Sequence, residues 1–509
     1  MSKAKCIMVQ GTMSGAGKSL LCAALCRIFA QDGYRVAPFK SQNMALNSFV
    51  TRDGLEMGRA QVVQAQAAGI EPDVRMNPIL LKPSSDVGSQ VIVNGEVRGQ
   101  MPAAAYFKMK RALIPEILSA YNSLAETVDI IVIEGAGSPA EINLKADDIV
   151  NMGLARLVDA PVLLAGDIDR GGVFAQLYGT VALLEPEERA RIKGLLINKF
   201  RGDVEILRPG LAMLEEKTQL PVLGVVPYLK VDIEDEDSLS TRLDAGKTVH
   251  PLDAGKTVHP LDAAILRLPH ISNFTDFMPL EQHPLLGVRY VQNTRQLGTP
   301  DLIILPGTKN TVDDLLWLRQ SGLEAALLKL AANGTPVLGV CGGYQMLGET
   351  LADPEGTESG TVQTVRGLGL LPTRTVFTGQ KHRTQDTAAV TAAPFAGAAL
   401  TGYQIHTGRT EVQGVPFCTL ADGTPEGCVQ DNVFGTYLHG LFDTGKLTEK
   451  LVALLCQRKG IAPDSAALIP MEQYRQQQFD LLADGVRGAL DLDAVYAAMG
   501  LKNPRRNAQ

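Results

Sequence analysis

A cysteine between glycines is the residue whose setting points most directly to chemistry. Cys341 lies in residues 335–347, TPVLGVCGGYQML, after a short apolar run and before a return of helical spacing. Because Gly339, Gly342 and Gly343 tolerate strained backbone angles, the pattern predicts a strand, a sharp turn at the cysteine and a helix. Such a turn lifts the sulfur out of the sheet and aims the first N–H groups of the helix at it. We therefore predict that Cys341 is a nucleophile, and a buried inert thiol is the alternative.

A thiol nucleophile needs a base, because a free thiol is mostly protonated at neutral pH. Of the seven histidines, His439 has the most suitable setting, at the end of an apolar strand in residues 434–442, FGTYLHGLF. His406, in residues 402–408, GYQIHTG, is the alternative base. The backbone N–H groups of Gly307, which follows the apolar run 302–305, and of Gly342 are predicted to bind an oxyanion.

A glycine-rich loop near the N-terminus predicts a phosphate site. Residues 11–19, GTMSGAGKS, lie between an apolar run at 6–9 and an apolar helix at 20–30. In such a loop, backbone N–H groups surround phosphates, the lysine contacts phosphate oxygens and the serine binds Mg²⁺. The strict pattern is not met, because Thr12 stands where the first glycine is expected. The residues predicted to bind ATP are Thr12, Gly15, Gly17, Lys18, Ser19 and, following the apolar run 194–197, Asn198.

Acidic and amide side chains at the predicted strand ends suggest metal and substrate contacts. Glu134 follows the apolar run 129–133 and precedes glycines, so we predict that it binds Mg²⁺ together with Ser19, with Asp53 as a further candidate. Residues 40–93 are rich in mixed polar side chains, which suits recognition of a large polar ligand. An ordinary solvated loop is the alternative interpretation. The substrate candidates in this stretch are Asn43, Arg59 and Asp86.

The order of the elements predicts two α/β domains. Apolar runs at 6–9, 34–39, 129–133, 162–165, 194–197 and 222–226 alternate with helical stretches, which is typical of a mostly parallel sheet. A second series occupies 264–268, 302–305 and 337–340. We predict a nucleotide-binding domain at 1–230, a linker at 231–262, a thiol-containing domain at 263–457 and a helical tail at 458–509. The linker repeats LDAGKTVHP at 243–251 and 252–260, and no strand or glycine loop precedes either Gly-Lys-Thr.

Composition narrows the classes of function. The chain has 509 residues, a net charge of −7 and no long basic run, so we expect no nucleic-acid partner. Seven cysteines without a CxxC spacing indicate a reducing compartment rather than disulfides or a zinc site. No apolar run reaches membrane-spanning length and no signal peptide is evident, so we expect a cytoplasmic protein without a membrane partner. The sequence does not predict an oligomeric state.

Nearly the whole sequence resembles the cobyric acid synthases, glutamine-dependent amidases of cobalamin biosynthesis. The segments that carry the resemblance are GTMSGAGKS, FKSQNMALNSFVTRDGLEMGRAQ, MNPILLKPSSDVGSQV, IVIEGAGSPAEINL, DIVNMGLA, ISNFTDFMPL, LPGTKNT, GVCGGYQMLG and GTYLHGLFD. The departure at Thr12 is also found in the related dethiobiotin synthetases. The resemblance implies a P-loop domain with a parallel sheet like that of dethiobiotin synthetase, and a flavodoxin-like class I glutamine amidotransferase domain.

The resemblance also implies a reaction. Cys341 would attack the carboxamide of glutamine, with His439 as acid and base, and release ammonia. In the nucleotide-binding domain, ATP and Mg²⁺ would activate carboxylates b, d, e and g of adenosylcobyrinic acid a,c-diamide. Ammonia would convert each of them into an amide, which gives adenosylcobyric acid.

Two positions depart from what the resemblance leads one to expect. Amidotransferases of this kind usually carry His-x-Glu, but position 441 is Leu, and the family's Gly-Tyr-Glu segment has Gln404 here. No carboxylate can therefore be assigned to orient His439, and the sequence predicts a Cys–His dyad. The alternatives are a cobyrinic acid a,c-diamide synthase, which the stretch NMALNSFVTRDG argues against, and a P-loop switch ATPase, which would lack the thiol turn.

Overall fold

The computed structural model describes residues 4–85, 88–234, 243, 248–249, 259–358, 360–462 and 469–507. These residues form two compact units. The first consists of Met1–Ala45, Glu56–Ile233 and Arg475–Gln509, and the second of Leu46–Leu55 and Glu234–Tyr474. Most of the repeat-containing linker lies outside the described residues. The units differ from the predicted domains in two places, since residues 46–55 pack with the second unit and the C-terminal tail packs with the first.

The first unit is built on a six-stranded parallel sheet, as the alternating pattern predicts. Its strands are apolar and mostly buried because helices cover a parallel sheet on both faces. In spatial order they are Val222–Pro227, Ile192–Phe200, Val162–Asp167, Lys5–Gly11, Ile130–Glu134 and Val36–Phe39. The carboxyl ends of Lys5–Gly11 and Ile130–Glu134 are neighbours, which brings the glycine loop and Glu134 to one edge.

A smaller sheet and the surrounding helices complete the first unit. The small sheet contains Gln42–Met44, Ile79–Ser85, Gly88–Val93 and Glu96–Pro102, and a short strand spans Glu56–Gly58. The helices are Lys18–Gln31, Arg59–Ala67, Ala103–Met109, Ile114–Ala125, Met152–Val158, Val173–Leu183, Pro186–Arg189, Val204–Thr218, most of Met471–Arg487, and Leu492–Ala498. Short 3₁₀ turns occupy Val74–Met76, Lys110–Leu113, Ile142–Asp147 and Pro504–Asn507.

The C-terminal tail belongs to the first unit because it buries an apolar face there. Phe479 and Tyr496 join the core cluster that contains Phe29 of helix Lys18–Gln31. The rings of Phe29 and Tyr496 lie 5.2 Å apart. Arg487 forms an ion pair of 3.0 Å with Asp32, whose side chain is buried. The predicted helices of the tail are thus present, and they cover the helix that follows the phosphate loop.

The second unit contains a seven-stranded mixed sheet whose five central strands are parallel. In spatial order the strands are Thr248–Val249, Leu286–Val291, Leu261–Leu266, Leu302–Leu305, Val337–Val340, Val433–Thr436 and Cys428–Gln430. The helices are Met278–Glu281, Thr294–Leu297, Thr311–Gln320, Leu323–Ala332, Gly342–Leu347 and Lys446–Lys459, with a 3₁₀ turn at Phe274–Phe277. Strand Val337–Val340 is fully buried near the middle of the sheet and leads directly to Cys341.

A second, antiparallel-rich sheet packs in the same unit. It includes the long hairpin of Thr373–Val390 and Ala399–Val412, together with Thr350–Asp353, Gln363–Arg366, Cys418–Leu420 and Pro425–Glu426. A short strand at Ser48–Val50 also belongs to this unit. No helix in the described part of the chain is both long enough and apolar enough to cross a membrane.

Candidate active sites

The turn at Cys341 has the backbone geometry that its glycines predict. Strand Val337–Val340 ends immediately before the cysteine, helix Gly342–Leu347 begins immediately after it, and Cys341 has a φ of 51°. A positive φ is strained for any residue with a side chain, and such strain is typical of nucleophile turns. A Cβ on Gly343 would lie 2.1 Å from the carbonyl oxygen of Leu305, so only glycine fits against the neighbouring strand.

We expect Gly343→Ala to lower the stability of the second unit by about 1–3 kcal/mol, because overpacking a tight core has a cost of that order. The turn must then shift, so the glutamine hydrolysis that the resemblance implies should fall by more than the loss of folded protein explains. The matched control is Gly379→Ala in the same unit, where the nearest atom to an added Cβ is 3.8 Å away. Thermal unfolding measures the loss of stability, and a glutaminase assay measures the loss of activity. Equal losses in the two variants would contradict the close approach of Gly343 to the carbonyl oxygen of Leu305.

His439 lies between Cys341 and a buried carboxylate. Its Nδ1 is 2.7 Å from Oδ2 of Asp276, and Oδ1 of Asp276 accepts the backbone N–H of Gly440 at 3.0 Å. Burial by itself lowers the pKa of His439, but the charge of Asp276 and hydrogen bonds to Asp276 and Cys341 outweigh burial and raise the pKa to about 10. The site therefore favours the imidazolium, which is the state that forms when the ring accepts the thiol proton.

The sequence predicted a Cys–His dyad without a carboxylate, and the structure shows that Asp276 is the third group of the site. Sequence reasoning sought the third group beside the histidine, at positions 441 and 404, whereas the structure supplies it from the 3₁₀ turn Phe274–Phe277. The available signal was the segment ISNFTDFMPL, which holds a single acid in an apolar setting, but nothing local indicates its partner. The predicted strand before the histidine also ends earlier than expected, at Thr436 rather than at His439.

The alternative base, His406, has no such carboxylate. Its Nδ1 donates to the carbonyl oxygen of Gly408 at 2.7 Å, and its ring stacks on Tyr437 with the centroids 3.7 Å apart. Burial is the main cause that lowers the pKa of His406 to about 3, so the ring is neutral at physiological pH. This arrangement favours His439 over His406 as the base.

The predicted oxyanion residues lie beside the Cys–His pair. Gly342 is the first residue of the helix after Cys341. A Cβ on Gly307 would lie 3.1 Å from Cε1 of His439, which places the Gly307 backbone against the imidazole ring. Both glycines are thus next to the reacting groups, and their role as N–H donors to an oxyanion stays a prediction.

In the first unit, the phosphate loop is held by side chains from neighbouring elements. Gly15 and Gly17 have φ angles of 76° and 89°, which suit glycine. Lys18 Nζ donates to the carbonyl oxygens of Met13 and Gly137 at 3.0 and 3.1 Å, so its ammonium group is held across the mouth of the loop. Thr12 precedes the helix that begins at Lys18, and its Oγ1 donates to the side chain of Gln176 at 3.1 Å.

Asn198 has a different position from the one that the sequence predicts. It lies inside strand Ile192–Phe200 rather than after a strand, because that strand continues to residue 200. Its Nδ2 donates to the carbonyl oxygen of Ala16 at 2.9 Å, and a Cβ on Gly17 would clash with the same amide. The side chain therefore braces the phosphate loop, and a contact with adenine remains only a prediction.

Glu134 is the buried centre of the first unit's polar edge. One oxygen accepts from Ser19 Oγ and Lys40 Nζ, both at 2.8 Å, and the other accepts from Gln61 at 3.2 Å and Gln64 at 2.5 Å. A hydroxyl and a carboxylate side by side at a phosphate loop suit Mg²⁺, which keeps several waters and binds few protein groups. The set therefore fits ATP with Mg²⁺, although Lys40 shares the same carboxylate oxygen as Ser19.

The remaining predicted residues are not gathered at one point. Asn43 is buried and donates to Gln61, one of the partners of Glu134, at 3.3 Å. Arg59 is buried at the start of helix Arg59–Ala67, the helix that carries Gln61. Asp53 is exposed and belongs to the second unit, and its role as a Mg²⁺ ligand stays a prediction. Asp86 lies outside the described residues. Within the described ranges, no group of three acidic, histidine or cysteine side chains could hold a metal ion.

Comparisons with known proteins agree with this division of chemistry. A model of the CobB/CobQ-like glutamine amidotransferase domain matches residues 262–447, and a model of the CobQ/CobB/MinD/ParA nucleotide binding domain matches residues 7–240. Fold and site define a glutamine-dependent amidating ligase with a P-loop-type nucleotide-binding domain. A "Cobyric acid synthase" of Lachnoclostridium phytofermentans is 56% identical over 97% of this chain and 99% of its own. The chain belongs to the cobyric acid synthase family.

Further relatives carry the same name. The protein from Ruminiclostridium cellulolyticum is 54% identical over 98% of both chains. The protein from Citrobacter koseri is 52% identical over 97% of this chain and 98% of its own. The predicted resemblance and the predicted two-part α/β fold are thereby confirmed.

Proposed function

We propose that this protein makes adenosylcobyric acid by amidating carboxylates b, d, e and g of adenosylcobyrinic acid a,c-diamide, with ATP and glutamine as cosubstrates. The observation that carries the proposal is the 56% identity with a cobyric acid synthase over 97% of the chain. Identity of this extent includes both units, so it supports the coupled reaction rather than glutamine hydrolysis alone.

The second unit generates ammonia. The imidazolium of His439 holds the proton of the Cys341 thiol, so the sulfur attacks the carboxamide carbon of glutamine as a thiolate. Asp276 accepts the Nδ1–H of the ring, which fixes the tautomer and stabilises the imidazolium. The backbone N–H groups of Gly307 and Gly342 stabilise the oxyanion. The imidazolium then protonates the leaving nitrogen, ammonia departs, and water releases glutamate from the thioester.

The first unit activates the corrin carboxylate. The carboxylate takes the terminal phosphoryl group of ATP and ADP leaves, and ammonia then displaces phosphate from the acyl phosphate to form the amide. Mg²⁺ would neutralise the charge of the transferred group. The loop at residues 12–17 surrounds the phosphates with backbone N–H groups, and Lys18 contacts their oxygens. Ser19 and Glu134 are the groups that would hold the metal. Asn43, Arg59 and Asp86 are proposed to contact the corrin, and Asp53 is retained as a further Mg²⁺ candidate.

We place this reaction in the cytoplasm and propose small-molecule substrates, with no nucleic-acid partner and no membrane partner. The seven cysteines, which all lie in the described part of the chain, are buried and form no disulfide there, which suits a reducing compartment. The boundaries of the domains, 1–230, 231–262, 263–457 and 458–509, are proposed as functional divisions, and the part of the tail from Arg475 onward acts with the first unit.

The test is to incubate the protein with adenosylcobyrinic acid a,c-diamide, ATP, Mg²⁺ and glutamine, and to follow the corrin by mass spectrometry. Four successive amide-for-acid mass changes are expected. Cys341→Ala should lose turnover with glutamine by about 10³-fold or more, because nothing replaces the nucleophile, and retain turnover with ammonia. No mass change with either nitrogen source would overturn the proposal and make the a,c-diamide synthase reaction the next to test.

A further inference from the structure

A segment from the N-terminal half of the chain is part of the glutamine-hydrolysing unit. Leu46–Leu55 packs within the second unit, while the residues before and after it, up to Ala45 and from Glu56, belong to the first. Inside the second unit, Asn47 Oδ1 accepts the backbone N–H of Asn273 at 2.8 Å. In return, Asn273 Oδ1 accepts the backbone N–H of Ser48 at 3.2 Å. All three residues are buried, so this reciprocal pair fixes the segment firmly.

This reciprocal pair lies directly before the carboxylate that orients His439. Asn273 has a φ of 52° and precedes the 3₁₀ turn Phe274–Phe277. Its carbonyl oxygen accepts the backbone N–H of Asp276 at 3.1 Å. Since Asn273 starts the turn that carries Asp276, any shift of Asn47 or Ser48 changes where the Asp276 carboxylate meets the imidazole.

A second contact runs from the segment to the imidazole ring itself. Tyr403 donates its hydroxyl to the carbonyl oxygen of Ser48 at 3.1 Å. Its ring stacks on His439 with centroids 5.2 Å apart and planes at 23°. The two residues also exchange backbone hydrogen bonds of 2.8 and 3.2 Å. Ser48 therefore supports both sides of the His439 site, through Asn273 and through Tyr403.

The residues just before and just after the segment, which we call its two stems, lead from the side chains that bind Glu134 in the first unit; these side chains and Glu134 form the Glu134 cluster. On the incoming side, Lys40 binds Glu134 at 2.8 Å, and Asn43 donates to Gln61. On the outgoing side, the chain enters helix Arg59–Ala67, which supplies Gln61 and Gln64 to the same carboxylate. Metal and nucleotide at Ser19 and Glu134 would replace some of these hydrogen bonds, and that change reaches both stems.

We propose that Leu46–Leu55 is a positioning segment that makes glutamine hydrolysis respond to nucleotide in the first unit, through Asn47, Ser48, Asn273 and Tyr403. The proposal rests on the proposed function for the identity of the ligands. A ligand that alters Glu134's partners shifts the segment between two arrangements, and only one of them aligns Asp276, His439 and Cys341. Ammonia is then produced when the amide-forming site can use it.

The test measures glutamate release by the full-length protein without ligand, with ATP and Mg²⁺, and with both plus the corrin diamide. We expect kcat for glutamine to rise by about 5- to 150-fold with ligand in the unmodified protein, the usual range for coupled sites. Tyr403→Phe keeps the ring on His439 and removes the hydroxyl, and Asn47→Ala removes the acceptor for Asn273. In the double variant the ratio of liganded to unliganded kcat should fall close to unity, with little change in KM.

Gln385→Ala is the matched control. Gln385 Nε2 donates to the carbonyl oxygen of Val50 at 2.8 Å, so the variant loses a side-chain hydrogen bond to the same segment. The backbone of Gln385 pairs with Tyr403 in the hairpin, and that pairing does not need the side chain. It should keep the response of the unmodified protein. A merely structural role would lower all kcat values in proportion and leave the ratio unchanged, which would overturn the proposal. Equal loss of response in the control would overturn the assignment to Asn47 and Tyr403.

The corrin assay with ammonia separates this proposal from the proposed function. Amidation driven by ammonia does not need His439, so the double variant should amidate the corrin with ammonia as the unmodified protein does. If no corrin is amidated but ATP and Mg²⁺ still raise glutamine hydrolysis, the proposed substrate is wrong and the segment's role stands. If amidation occurs and hydrolysis ignores ligand in the unmodified protein, the segment's role is wrong.

Discussion

Asp276→Asn is expected to lower kcat for glutamine by about 10⁴-fold, the loss known for replacing the carboxylate of a nucleophile–histidine–acid triad by its amide. The change keeps the shape of the side chain but removes the charge that favours the imidazolium. Burial then dominates and lowers the pKa of His439. Amidation with ammonia should be unaffected, because that reaction bypasses the thiol.

The pH dependence of kcat/KM for glutamine should change in a defined direction in this variant. The raised pKa of His439 keeps the ring protonated up to pH of about 10 in the unmodified protein. In Asp276→Asn, the alkaline loss of kcat/KM should therefore move to lower pH. The raised pKa of His439 also means that its ionisation stabilises the folded protein. This stabilisation is fully present below about pH 6.5, and it is lost as the pH rises through the pKa of the folded state.

A second His–Asp pair in the same unit provides the control. His270 Nδ1 lies 2.7 Å from Asp314, and this hydrogen bond raises the pKa of His270. Asp314 also accepts the hydroxyl of Thr308, which follows Gly307, but the described hydrogen bonds of His439 include neither His270 nor Asp314. Asp314→Asn should therefore alter stability more than the pH profile of hydrolysis. An unchanged profile in Asp276→Asn would contradict the role given to the carboxylate.

The parts of both sites that follow local rules were predictable from sequence. The apolar run before Cys341 and the glycines after it specify a buried strand and a tight turn, because no other residues fit there. Glu134 was placed at the ligand edge by the same logic, since the carboxyl ends of parallel strands meet at one edge. In each case the chemistry lies within a few residues of the element that positions it.

Asp276 and Leu46–Leu55 could not be predicted in this way. Asp276 meets His439 across 163 positions of sequence, and no hydrophobic period links a 3₁₀ turn to a distant histidine. Residues 46–55 read as part of a polar loop in the nucleotide-binding half, and tertiary contacts, among them the hydrogen bonds with Asn273 and Tyr403, place them in the other unit. The end of the strand that contains Asn198 was misplaced for a related reason, because the sequence does not mark that this strand continues to residue 200.

Glu134→Gln should abolish most amide formation from either nitrogen source, by about 10²- to 10³-fold, while glutamine hydrolysis without ligand persists. The amide keeps the size of the side chain but cannot offset a metal charge, and it leaves the buried ammonium of Lys40 without its counter-charge. Corrin mass spectrometry with ammonia measures the loss, and titration with Mg²⁺ should show that more metal is needed for half-maximal rate.

Asp129→Asn controls for removing an acid at the opposite end of the same strand. Asp129 forms an exposed ion pair with Arg35, and such pairs contribute about 0–1 kcal/mol, so activity and Mg²⁺ dependence should not change. A Glu134→Gln protein that amidates with ammonia at the normal rate would place the metal elsewhere, with Asp53 then the carboxylate to test. A loss confined to glutamine-driven turnover would instead mean that Glu134 acts through the positioning segment, because its amide partners lie on the stems that lead to Asn47.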